Sequence, residues 1–115
     1  MGVPAITEPA FFVLTALADT PLHGYGILQE VEELSGGRVM LKVGTLYGVL
    51  ERLVADGLVV HERDQIVSGR LRRYYRITEA GGSALLADAE RQRANARVAV
   101  RRLRAAPTKL AGGTA

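Results

Sequence analysis

The hydrophobic period of this chain changes near residue 58, which limits the folds open to it. Upstream, apolar residues recur at helical spacing in three short stretches. Phe11, Leu14, Leu17 and Ala18, widened by Phe12 and Val13, define a first helix. Thr7 stands at its N-cap, with Glu8 and Pro9 in the first turn, and Asp19, Thr20 and Pro21 end it. A second helix is predicted over 24–34, with Ile27, Val31 and Leu34 inward and Gly36 and Gly37 as the stop. A third is predicted over 44–55, with Leu46, Val49, Leu50 and Leu53 on one face and Gly44, Thr45, Gly48, Glu51, Arg52 and Ala55 on the other. Downstream the period becomes two. Residues 58–63 are rich in β-branched side chains and read as a strand, 64–69 as a turn, and 71–77 as a second strand. Leu71, Arg73, Tyr75 and Ile77 share one face of that strand, and Arg70, Arg72, Tyr74 and Arg76 the other.

A lone hairpin is marginal in water, so it must lie against the helices. Thr78 then caps a fourth helix over 79–104, and Pro107, Gly112 and Gly113 mark a tail expected to be disordered. The predicted fold is α+β, mainly α: a winged helix-turn-helix of three helices and a two-stranded wing, followed by one long helix. The expected organisation is an arm (1–7), the winged domain (8–78), a dimerisation helix (79–104) and a tail (105–115).

Charge distribution says more than net charge. The chain carries +3 overall. Up to Glu62, three basic residues face eight acids, and beyond it twelve basic residues face four. Arg63, Arg70, Arg72, Arg73 and Arg76 fall in one short stretch beside Tyr74 and Tyr75, the pattern of a polyanion-binding edge. The alternative is a solvated strand face in an arginine-rich chain, since thirteen of the fifteen basic residues are Arg.

Other classes of function find little here. With no Cys, disulfides, thiolate metal sites and Cys nucleophiles are excluded. The two histidines, His23 and His61, lie far apart and form no HExxH-type spacing. His23 and Tyr25 lack a nucleophile or a third orienting group, which argues against acid–base catalysis. No cofactor is expected. The longest apolar stretch, Phe11 to Ala18, is too short to span a bilayer, and no Lys/Arg-flanked apolar segment opens the chain, so the expected location is the cytoplasm.

Three segments, LHGYGILQEVEELSGG (Leu22 to Gly37), VGTLYGVLERLVADGL (Val43 to Leu58) and SGRLRRYYRITEAG (Ser68 to Gly81), together resemble the PadR family of bacterial transcriptional regulators. The HGY triplet, the GTLY start of the third helix and the YYRIT-x-x-G closure stand in the family's order over about residues 11–86. The short C-terminal region resembles the small members with a single terminal helix. The resemblance implies a two-fold dimer presenting two recognition helices, with release by a small molecule near the dimer interface. The terminal helix has no aromatic residue, so a stacking pocket for planar molecules is not evident and an effector is either absent or a protein.

Within that frame, Gly44 and Thr45 open the third helix, where free N–H groups and the helix dipole suit phosphate. Thr45 either contacts DNA or acts as a cap. Tyr47 either reaches a phosphate or packs on the second helix. Lys42 precedes the helix as an expected phosphate contact, Gly48 either lets the duplex approach closely or only relaxes packing, and Arg52 lies on the same arc. Tyr25 either fixes the second helix on the third or bonds a phosphate, while His23 caps the second helix. Ser68, Arg70, Arg72 and Arg73 form the wing contact, with the arginines suited to the minor groove or flanking phosphates. On the terminal helix Leu86, Ala89, Ala96, Val100 and Leu103 form a sparse stripe near heptad spacing, interrupted by Arg93, which is expected at the same dimer face. Such a helix does not stay ordered alone, and pairing with its copy, and with Phe11 and Leu14 of the first helix, is the expected remedy. The expected function is a dimeric DNA-binding regulator, a repressor on an inverted-repeat operator. The rival is a winged-helix module that docks a protein instead of DNA.

Overall fold

A computed structural model describes residues 5–105. The chain divides into two units, Met1–Leu85 and Leu86–Ala115. The predicted tail beyond residue 105 and the first four residues of the arm lie outside the described residues.

Four helices and three strands follow one another as α1 (Glu8–Leu17), β1 (Leu22–His23), α2 (Gly24–Leu34), α3 (Val43–Ala55), β2 (Val59–Val67), β3 (Arg70–Ile77) and α4 (Glu79–Ala105). The helix ends follow from local chemistry. Thr7 is the N-cap of α1, its Oγ1 accepting the Ala10 N–H at 3.3 Å. At the end of α3 the Leu58 N–H bonds the Leu53 carbonyl at 2.9 Å and the Gly57 N–H the Val54 carbonyl at 3.0 Å, a Schellman closure. That closure places Gly57 at φ 78, a backbone state in which a Cβ is strained.

The core of the first unit is made by the inward stripes of α1, α2 and α3 together with the sheet. Val13, Leu14, Leu17, Ile27, Val31, Leu46, Leu50, Leu53, Leu58, Val59 and Tyr75 are all buried there. Two expectations change. Leu34 does not continue the α2 stripe and is exposed. Ser35 takes the inward position instead, its Oγ accepting the Val39 N–H at 2.9 Å. Leu14, expected on a dimer surface, is fully buried within its own protomer, so it is a core residue and not an interface residue.

The sheet is antiparallel with order β1-β3-β2, one strand more than expected. Leu22 and His23 pair with Tyr75 and Tyr74. The hairpin is also longer than its sequence suggested. Asp64 to Val67, expected as turn, are strand residues paired with Arg73 to Arg70. The turn is only Ser68–Gly69, with φ 52 and φ 79, both in the left-handed region that a two-residue hairpin loop of the type I′ kind requires.

α4 is fixed at its start. Thr78 Oγ1 donates to the Gly57 carbonyl at 2.7 Å and accepts the Gly81 N–H at 2.9 Å. Gly81 is buried so closely over the Leu58 carbonyl that a Cβ there overlaps its oxygen, whereas a Cβ at Gly82 meets nothing within 4 Å. The two adjacent glycines therefore respond oppositely to alanine. Gly82→Ala gains helix propensity, up to about 1 kcal/mol. Gly81→Ala must push the helix off the strand and loses about 2 kcal/mol despite the same propensity gain. Thermal melts of the two variants, shifted in opposite directions, check this.

Candidate nucleic-acid interface

α3 begins without a side-chain cap. Lys42 occupies the N-cap position but makes no capping bond. The first intrahelical bond of this end is Leu46 N–H to the Lys42 carbonyl, which leaves the N–H groups of Val43, Gly44 and Thr45 directed outward. Lys42, Val43, Gly44 and Thr45 are all exposed, so this helix end is open to an anion. Thr45 is not the cap, because the helix starts two residues before it.

The exposed arc of α3 is bordered on both sides. Thr45, Gly48 and Arg52 line a groove of about 280 Å³ towards Thr7 and Ala10 at the start of α1. Tyr47, Glu51 and Val54 line a larger one, about 570 Å³, towards His61, Arg73 and Tyr75 on the sheet. Gly44 and Gly48 have open space where a side chain would be. Tyr47 is half exposed and has a structural duty. A Cβ on buried Gly24 would stand 2.5 Å from its hydroxyl oxygen, so the phenol packs against the first turn of α2. Tyr47 thus makes a contact between α2 and α3 of the kind the sequence offered as one alternative. Tyr25 is 57% exposed at the start of α2.

His23 caps α2 as expected, its Nδ1 accepting the Gly26 N–H at 3.2 Å. Burial, with the positive charge of Arg72 adding to it, holds its imidazole below the ordinary value of 6.5. The neutral ring is the one that can accept this bond. The contribution of His23 to stability is therefore complete above the ordinary value and is lost as pH falls through the lowered one. His23→Asn, which caps at any pH, flattens that part of the stability profile; urea melts between neutral and mildly acidic pH measure it.

The wing sorts its arginines. Arg73 is drawn to Asp64 directly across the strands, 3.6 Å away, and Asp64 also accepts from His61 Nε2 at 2.8 Å. Arg76 bonds Glu62 at 3.3 Å, and Arg63 both pairs with Glu62 and lies 4.2 Å over the Tyr74 ring. Among the described residues Arg70 and Arg72 have no carboxylate partner, and the Arg72 Nε is enclosed without any hydrogen bond. Lys42 and Arg52 are likewise without an ion-pair partner. Of the predicted set, the structure brings Lys42, Gly44, Thr45, Gly48 and Arg52 onto one exposed helix surface, and puts Ser68 and Arg70 at the exposed end of the hairpin. What the sequence missed at the wing is its apolar end. Leu71 shares the face of buried Tyr75, yet it and Ile66 are exposed.

In the second unit Leu86, Arg93, Ala96, Val100 and Leu103 are exposed along α4, and Ala89 is half-buried. Asp88 is buried and accepts from Arg91 and, at 2.7 Å, from Gln92. Phe11, the other residue expected at a dimer face, is partly buried in the first unit and meets Phe12 edge to face. Among the described residues no helix is long and apolar enough to cross a membrane, and no group of His, Asp and Glu is placed to hold a metal ion.

Three helices, the third open at its N-terminus, and a hairpin that extends beyond the core define a winged helix-turn-helix protein. The comparisons agree. The model of the Transcriptional regulator PadR-like family matches residues 13–87, more than half of the chain. The transcriptional regulator Rv3488 of Mycobacterium tuberculosis is 47% identical over 76 residues, which cover 66% of this chain and 67% of that one. A PadR family transcription regulator from hypervirulent Clostridium difficile superposes with a TM-score of 0.71 at 26% identity, over 84% of this chain and 99% of that one. Bacillus subtilis PadR, solved in complex with operator DNA, superposes with a TM-score of 0.58 at 25% identity, over 66% of this chain and 43% of that one. The chain belongs to the PadR-like family. It is a transcriptional regulator and not an enzyme.

Proposed function

We propose that the protein is a homodimeric repressor that binds an inverted-repeat operator, α3 entering the major groove and the wing gripping the flanking backbone. The observation that carries this reading is the exposed, uncapped start of α3, with Lys42, Thr45 and Arg52 unpaired and Gly44 and Gly48 offering no side chain to keep a duplex away. The likeness to a PadR solved with operator DNA supports it. The wing adds Arg70 and Arg72, the two arginines of the hairpin that no carboxylate neutralises.

Dimerisation is the role of α4. Its stripe of Leu86, Ala89, Ala96, Val100 and Leu103 has heptad spacing, and a second copy buries it against its own stripe and against Phe11 of α1. Two linked recognition helices read two half-sites, and occupation of a promoter by such a dimer blocks transcription. An effector that releases the dimer acts at this interface. Arg93, Arg97, Arg101 and Arg104 border a shallow groove around Ala96 and Val100, a lining that favours an anionic ligand over an aromatic one.

Phosphate contacts must weaken as salt releases the advantage of displaced counterions. Arg70→Ala/Arg72→Ala is expected to weaken duplex binding by about tenfold or more and to lower the magnitude of the log–log salt slope by up to about 2. Arg73→Ala, whose charge is already met by Asp64, changes the slope less. Fluorescence anisotropy at a series of salt concentrations reads both. Micromolar binding with no salt dependence favours the protein-docking rival instead.

A further inference from the structure

Ile66 and Leu71 stand directly opposite each other across the hairpin, one pair below the Ser68–Gly69 turn. They are 71% and 70% exposed, the most exposed of the large apolar side chains described. Nothing in the core needs them. The last buried residue of β3 is Tyr75, about 13 Å back along the strand at about 3.3 Å per residue. Both lie on the sheet face shared with Tyr75, the face that borders the groove beside α3.

We propose that this pair is a minor-groove wedge, which makes the wing a reader of duplex deformability and not only a phosphate grip. The inference rests on the DNA-binding reading above. Three observations fix the occupant. From Gln65 to Arg72 there is no acid, and Arg70 and Arg72 flank the pair, so the end of the hairpin attracts a polyanion and repels its own copy. The hairpin closes in two residues, so its end is compact, and an Ile or Leu side chain projecting from it, unlike the whole ribbon, is narrow enough for a minor groove about 6 Å across. Ile and Leu are among the side chains that enter between base steps, unstack them and bend the duplex away. Pyrimidine–purine steps yield most easily to such a wedge, so the wing selects flanking TA or CA/TG steps without a hydrogen bond to any base.

The test uses the full chain and a duplex that the wild-type protein selects from a random-sequence pool. In Ile66→Ser/Leu71→Ser, affinity falls about tenfold, the order expected from losing part of the burial of two aliphatic side chains. The salt slope stays at its wild-type value, because no charge has changed. The bend, read by energy transfer between dyes at the duplex ends, decreases. Ile66→Leu/Leu71→Ile keeps both affinity and bend, and Leu71→Thr, which preserves strand propensity, repeats the loss in a hairpin that remains paired. Unchanged affinity and bend in the serine variant, while the wild-type protein binds, overturns the wedge and leaves the DNA reading intact. A loss accompanied by a flatter salt slope also overturns it, since the arginine grip and not the apolar pair has then been removed. If the wild-type chain selects no duplex at all, the DNA-binding reading itself fails and the wedge with it.

Discussion

Gly48→Glu is expected to abolish specific duplex binding while raising the melting temperature. Residue 48 lies in the middle of α3 on its exposed arc, and a Cβ there meets nothing within 4 Å, so the protein itself has room for any side chain. Replacing a mid-helix glycine with glutamate gains about 0.7 kcal/mol of helix propensity. The new carboxylate also sits four residues before Arg52, the favourable order for an ion pair worth about 0.3 kcal/mol, against a like-charge neighbour at Glu51. A small net stabilisation of the first unit follows, a few degrees at most. On DNA the same side chain puts bulk and negative charge where the groove floor and the phosphates must come, and the loss is about 100-fold or greater, nearly 3 kcal/mol at 1.4 kcal/mol per decade. Opposite signs for folding and binding separate an interface residue from a structural one. A variant that melts higher and still binds normally removes this arc from the interface.

Val100→Glu/Leu103→Glu is expected to turn the proposed dimer into a monomer and to cost about 100-fold or more in duplex affinity. Both residues are exposed on α4, so the substitutions disturb no core of the protomer. In the proposed dimer they meet their symmetry mates, and burying carboxylates there is prohibitive without partners. The affinity loss is larger than the interface itself would suggest. Each recognition helix in a dimer is held at high effective concentration by the other, an advantage of about 10² to 10⁴ that a monomer forfeits. Sedimentation velocity measures the first effect and anisotropy the second. A persistent dimer places the interface on a surface other than α4.

The order of elements was legible because each boundary carried its own chemistry. Thr7, His23 and Thr78 are the caps that their side chains suggest, and the glycines after α2 and α3 close those helices by backbone geometry. Three features were not legible, for distinct reasons. β1 is two residues long and exists only by pairing with Tyr75 and Tyr74, so no periodicity announces it. The outer half of β2, Asp64 to Val67, has turn-like composition at its start and is held by cross-strand partners such as Arg73 opposite Asp64, which are a matter of register. Leu14 and Leu71 illustrate the limit of a stripe. Both have the period of a buried face, but Leu14 ends in the protomer core and Leu71 beyond the core, because depth along an element depends on what packs over it.

The exposed arc of α3 was legible in the sequence, and the pairing of the wing arginines was less so. Gly44, Thr45, Gly48 and Arg52 share an exposed arc because helical spacing alone dictates it. Which wing arginines are free depends on acids that are near in space. Asp64 and Glu62 claim Arg73, Arg76 and Arg63, and leave Arg70 and Arg72. The packing of Tyr47 was likewise a matter of a neighbour, the bare backbone of Gly24 that makes room for its hydroxyl.

In the proposed complex two copies of this chain read one duplex through paired α3 helices. Hydroxyl-radical footprinting of the full protein on its selected duplex, with the number of chains per duplex counted by sedimentation, tests it most directly. Two chains per duplex are expected, with two protected patches related by a two-fold axis, their centres about 10 base pairs or a multiple of that apart on one face of the helix. A single protected patch with one chain bound, or no protection at protein concentrations that saturate binding, contradicts it.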